Sequence, residues 1–278
     1  FDLIVVVLLA GAVLALVRGQ SVWAGVLIGL AAVAKVTPAA YLGIFLLRRD
    51  YKGLAAGLVV IGVSMAMAWI VLPGGVYEQW LSNLSRLSAD VSANNMSLRG
   101  VLLSALVGGG EQAPAFALNA GLVTALTWGI IVLLVGVTVY WLVRHRERLS
   151  SSECLAGMVP LVLLCTPITW THHGVQLLIP LVFLAALIGQ RPRLSVLDLS
   201  WLSLTLVLLM VQPVQSYALE LSPTLHHLLS PTLTYAMLLM WLFLMTRYVP
   251  LSSTVQHSRS GSRPRAAVHP GQNPLPQV

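Results

Sequence analysis

Three short stretches of this sequence carry side chains suited to a phosphorylated sugar. Lys35-Val36-Thr37-Pro38 sets an ammonium just before a proline. Asn95-Met96-Ser97-Leu98-Arg99-Gly100 offers an amide and a guanidinium, and Trp170-Thr171-His172-His173 offers an indole beside two imidazoles. Fixed cations bind phosphate oxygens through charge-assisted hydrogen bonds, and an indole stacks on the apolar face of a sugar ring. Each group also has a plainer reading. Lys35 is alternatively a lysine snorkelling to a membrane surface, the two histidines a helix start, Arg99 a solvated cation and Trp170 an interfacial anchor. Neighbouring histidines on a helix do not face each other, and the chain has no His-Glu-x-x-His or Cys-x-x-Cys. The sequence therefore points to no metal site and no cofactor.

The elements that must position these groups are apolar. Of 278 residues, 57% are hydrophobic and only 9% charged, against about a quarter charged in soluble domains. A soluble globular enzyme, a disordered protein and a nucleic-acid reader are excluded, and the fold class is an all-α polytopic membrane protein. Apolar runs predict helices near 3–17, 21–34, 38–47, 53–72, 117–143, 154–168, 173–189, 194–212 and 232–247. Several approach the ~20 residues needed to cross about 30 Å of hydrocarbon.

Charge orients these helices. Arg18, Arg48, Arg49, Lys52, Arg144, Arg146, Arg148, Arg191, Arg193, Arg247, Arg259, Arg263 and Arg265 cluster between apolar runs, as cytoplasmic loops do. Of the basic residues only Lys35, Arg86 and Arg99 remain, all assigned to the outer side. With Arg18 and Arg48 on one side, segment 21–47 must enter and return, a short hairpin broken near Pro38 with Lys35 at its tip. The alternative is one kinked helix with Lys35 near its centre, which would put Arg18 outside. Residues 73–116 and 213–231 are expected to form irregular outer loops, holding Asp90, Asn94 and the pair His226-His227. The Gly25/Gly29 and Gly53/Gly57 spacings are small-residue faces for helix packing. Residues 1–249 form the transmembrane region, and 250–278, rich in Pro, Ser and Arg, are expected to be a disordered cytoplasmic tail.

These motifs, in this order, resemble glycosyltransferase family 87. Its members are polyprenyl-phosphate-mannose-dependent alpha-(1→2)-mannosyltransferases with the GT-C fold. The run from Ala24 to Pro38 with Arg48-Arg49, the run Asn95–Gly100, and Pro167-Ile168-Thr169-Trp170-Thr171-His172-His173 carry the likeness, over roughly residues 1–250. The resemblance implies a partial GT-C helical bundle in a cell membrane, multi-pass, with its site on the extracytoplasmic side and its C-terminus cytoplasmic. It implies a polyprenyl-phosphate-linked mannose donor and a glycolipid or glycan acceptor. Lys35, His172, His173 and Arg99 would hold the donor phosphate, and Asn95 and Trp170 would orient sugar or acceptor. The family's general base is an aspartate in the first outer loop, expected upstream of Phe1, so an inactive fragment is the expectation for this chain alone. Two other classes stay open: a transporter or flippase of a lipid-linked sugar, disfavoured by the lack of a central acid within the spans, and a non-catalytic membrane subunit.

Overall fold

A computed structural model describes residues 2–87, 95–108, 116, 118–190, 195–210 and 231–247. Among them every regular element is helical: α1 (Asp2–Val17), α2 (Ser21–Ala34), α3 (Gly43–Arg48), α4 (Tyr51–Val71), α5 (Val76–Leu87), α6 (Leu98–Leu106), α7 (Ala120–Arg144), α8 (Ser151–Cys165), α9 (Leu178–Gln190), α10 (Val196–Met210) and α11 (Thr232–Arg247). Two 3-10 turns, Thr37–Leu42 and Thr171–Leu177, interrupt the series.

Among the described residues two helices, α4 and α7, are long and apolar enough to cross a membrane by length and composition. Their apolar side chains remain uncovered, with Trp69, Ile70 and Val71 of α4 and Val132 and Leu133 of α7 exposed. Contiguous apolar surface of that size is what lipid would cover. The helices and their composition together describe a membrane protein.

α8 is the pillar of the fold. Its start is fixed by a capping box between Ser150 and Glu153, and nearly every side chain from Ser152 to Leu164 is buried. Around it pack α1, α3, α7, α9 and α11. α1 and α2 run antiparallel through the tight turn at Arg18-Gly19-Gln20, where Gly19 takes a positive φ of 72°. α2 then lies on α4 through its glycines. A β-carbon on Gly29 would come within 2.7 Å of the Gly57 carbonyl oxygen, and one on Gly25 would overlap the Gly53 carbonyl. The sequence spacing thus marks a real backbone-to-backbone contact.

The helix break falls at Lys35, whose backbone is extended at φ −156° and ψ 127°. Pro38 occupies the first turn of the following 3-10 segment, where its missing N–H has no helical partner to lose. From there the chain descends to Arg48, which donates to the carbonyls of Arg146 and of Leu149, the latter at 2.8 Å. Lys35 lies beside Asp2, and Arg48 lies beside the start of α8, so the segment between them spans the bundle from one end to the other.

Residues 73–116 depart from the expected irregular loop, since α5 and α6 fall within them. In α5 the apolar positions Val76, Trp80, Leu81, Leu84 and Leu87 recur at helical spacing, a pattern the polar residues between them obscure. The helix turns back on α4, with Tyr77 stacked on Trp69 at 5.2 Å and its hydroxyl donating to Met65 O at 2.6 Å. The tail 250–278, Asp90, Asn94, Arg191, Arg193 and His226-His227 lie outside the described residues.

Candidate functional site

At the end of the bundle where α2 stops, four titratable side chains converge. Lys35 Nζ lies 2.6 Å from Asp2 Oδ1, and Asp2 Oδ2 lies 3.4 Å from His172 Nε2. His173 is beside them, its ring centroid 4.6 Å from that of His172. The Trp170 indole lies against both imidazoles, at 5.5 and 5.9 Å. Lys35, His172, His173 and Trp170 are thus brought together as one cluster from segments more than 130 residues apart.

Asp2 has no place among the residues singled out from the sequence, yet it is central to this cluster. A signal for it exists. α1 and α2 are antiparallel about the turn at Arg18, and Asp2 and Lys35 stand at nearly equal distances along the chain from it. With about 1.5 Å of rise per residue, equal counts put the two at the same level. An acid and a base at matched depth are natural partners.

The two histidines differ chemically. His173 is 5% exposed, and its Nδ1 accepts the Trp170 backbone N–H at 3.2 Å. Burial pushes this ring down to about 4, the Lys35 ammonium adds to the effect, and the Asp2 carboxylate opposes it. At neutral pH the ring is uncharged, and with Nδ1 accepting, its proton sits on Nε2. His172 is 55% exposed and open to a ligand.

Asp2, His172 and His173 place three ligand atoms within 4.8 Å of one another, a spacing a cation could bridge. The donor chemistry fits poorly. His173 Nε2 carries a proton, and Asp2 Oδ1 is engaged by an ammonium. A metal needs free lone pairs on its ligands, whereas N–H groups and an ammonium suit an oxyanion.

Asn95 is buried and links two of the motifs. It is 1% exposed; its Nδ2 donates to Pro167 O at 3.0 Å, and its Oδ1 accepts from Ser97 N at 3.1 Å and Thr169 N at 3.0 Å. Met96 N donates to Thr169 O at 2.6 Å, and Thr234 Oγ1 donates to Met96 O at 2.7 Å. The turn leading to Trp170 and the histidines is therefore held by α6's entry segment and by α11. Gly100 completes the arrangement, since a β-carbon there would lie 2.5 Å from Asn95 O. Replacing Asn95 with alanine leaves two buried N–H groups short of an acceptor. At roughly 1–3 kcal/mol for each unsatisfied group, a loss of about 3 kcal/mol is expected, measured as a lowered Tm in detergent.

Arg99 follows in the first turn of α6. Its Nη1 is buried and has no hydrogen-bond partner among the described residues. No ion pair there ties it to the Lys35 cluster. The side chain of Arg86 is not described.

The protein-family model of glycosyltransferase family 87 matches residues 1–167. A protein of Mycobacterium tuberculosis (strain ATCC 25618 / H37Rv), a polyprenol-phosphate-mannose-dependent alpha-(1-2)-phosphatidylinositol mannoside mannosyltransferase, is 30% identical over 190 residues, 67% of this chain and 41% of its own. One of the same description from Mycolicibacterium smegmatis is 30% identical over 184 residues, 61% and 38% of the two chains. A pentamannoside mannosyltransferase of M. smegmatis is 29% identical over 214 residues, 72% and 48%. This chain thus spans less than half the length of the curated relatives it matches. No solved structure matches it.

Proposed function

Because the chain belongs to glycosyltransferase family 87, we propose that it supplies the donor-phosphate side of a site that moves a mannosyl residue from a polyprenyl phosphate carrier to a glycolipid at the outer membrane face, the general base coming from outside these residues. The observation that carries this reading is the convergence of Lys35 Nζ, the buried His173 ring and the Trp170 ring at one end of a helical membrane bundle. The relatives' descriptions supply the donor, a polyprenol-phosphate mannose, and the acceptor class, a phosphatidylinositol mannoside.

Chemistry follows from the leaving group. As the bond from sugar to phosphate breaks, charge builds on a phosphate oxygen, and preorganised donors aimed at that oxygen lower the barrier. Lys35 supplies a full charge. Neutral His173 supplies an N–H whose direction is fixed by the Trp170 hydrogen bond. Arg99 supplies a second cation for the same anionic carrier, and Trp170, 37% exposed, a face for the sugar ring. Asn95 contributes by holding the turn that carries Trp170 and both histidines.

The test is transfer of labelled mannose from polyprenyl phosphomannose to a phosphatidylinositol mannoside in membranes containing the protein. A mannosylated lipid product that requires the protein is the expected outcome. Movement of intact donor across the membrane without product would replace this reading with transport of the lipid-linked sugar.

A further inference from the structure

The cation of this cluster is already paired with an anion. Lys35 Nζ donates to Asp2 Oδ1 at 2.6 Å, and the two side chains keep only 23% and 17% of their surface exposed. Packing holds the carboxylate in place. Asp2, Val5, Leu9 and Ala12 fall on one face of α1, and the last three are fully buried in the core. An ammonium has three N–H donors, so the contact with Oδ1 leaves two for a phosphate. A carboxylate this close nonetheless repels any anion that Lys35 receives. A site made only to hold phosphate tightly has no use for it.

We infer that Asp2 is the counter-ion through which the site tells a sugar-loaded carrier from a discharged one. This rests on the mannosyl-transfer reading and extends it to release of the lipid product. The loaded carrier is a phosphate diester with a single negative charge. After transfer the carrier is a phosphate monoester, whose charge is about −1.5 to −2 at neutral pH. Repulsion by the Asp2 carboxylate grows in proportion to that charge, so it falls nearly twice as heavily on the discharged carrier. Lys35 attracts both forms, and alone it would hold the product more tightly than the donor. Asp2 offsets that bias. When the monoester departs, the carboxylate keeps the ammonium paired, as in the contact seen at 2.6 Å.

Initial rates of the protein in its native membranes, with polyprenyl phosphomannose and a phosphatidylinositol mannoside, give the donor KM. Polyprenyl phosphate added as a competing ligand gives the inhibition constant of the discharged carrier. Asp2→Asn keeps a side-chain oxygen for Lys35 and removes only the charge. Both constants are expected to fall, the donor KM by about threefold and the inhibition constant by about tenfold, because doubling the ligand charge squares the factor. A merely structural role for Asp2 would weaken both ligands instead. Asp2→Glu keeps the charge and should leave both constants within about twofold of the unmodified protein. Asp2→Ser, which also removes the charge, decides if Asp2→Asn fails to accumulate. An inhibition constant that is unchanged or raised overturns the inference, and so does a fall no larger than that of the donor KM. A shift in Asp2→Glu as large as in Asp2→Asn overturns it too, since charge would not be the cause. Absence of transfer by the unmodified protein overturns the mannosyl reading itself, a separate and distinguishable result.

Discussion

Replacing Lys35 with alanine is expected to lower mannosyl transfer by about 10²–10³-fold, the range seen when one preorganised charge-stabilising group is removed. Two effects add. The substitution deletes the ammonium facing the leaving phosphate, and it uncovers the Asp2 carboxylate that this ammonium now neutralises at 2.6 Å. An uncompensated carboxylate at the mouth of an anion site repels the donor, so donor KM should rise as kcat falls. Lys35→Arg keeps the charge but exchanges a compact point charge for a planar fork, and should recover only part of the loss. Steady-state rates at varied donor concentration check this. Transfer within about threefold of the unmodified protein in Lys35→Ala would remove Lys35 from the donor site.

Gly25→Val is expected to be the most damaging single change in the scaffold. A β-carbon at Gly25 overlaps the carbonyl oxygen of Gly53, and its next contacts are also backbone. No flexible side chain is present to give way, so α2 and α4 must separate. Overpacking of this kind costs about 1–3 kcal/mol or more, while the helix propensity gained over glycine returns at most about 1 kcal/mol. The net loss grows from alanine to valine as the branched side chain fills more of the interface. Gly62, also in α4, is the control: nothing lies within 4 Å of a β-carbon there. Gly62→Ala should hold or raise Tm in detergent, whereas Gly25→Val should lower it by several degrees. Because α2 ends at Lys35, the same substitution should also depress transfer in whatever protein survives. Equal Tm for the two variants would show that the α2–α4 contact does not bear on stability.

Much of this protein follows from local pattern. The helices at 21–34 and 232–247 are where the apolar runs end, because a helix in an apolar setting stops where its hydrophobic run meets a breaker or a charge. The glycine pairs of α2 and α4 mark their mutual face through spacing alone. Lys35, Trp170 and the two histidines stand out because polar groups are scarce in so apolar a chain. α5 is poorly marked in the sequence, since its apolar face is narrow and its polar residues resemble those of a loop.

What only the tertiary structure decided are relations between distant residues. Asp2 meets Lys35 across 33 positions, Asn95 meets Thr169 across 74, and Thr234 meets Met96 across 138. The sequence itself determined a helical membrane chain with a family's motifs in order, because hydropathy and spacing are read along one strand of residues. The tertiary structure determined that Asn95 has its amide tied up in holding a turn, that His173 is buried with its Nδ1 accepting the Trp170 N–H, and that Asp2 joins the cluster. Those outcomes depend on how each helix is rotated and how deep it sits against its neighbours. Rotation and depth are set by packing summed over the whole bundle, which no local pattern carries.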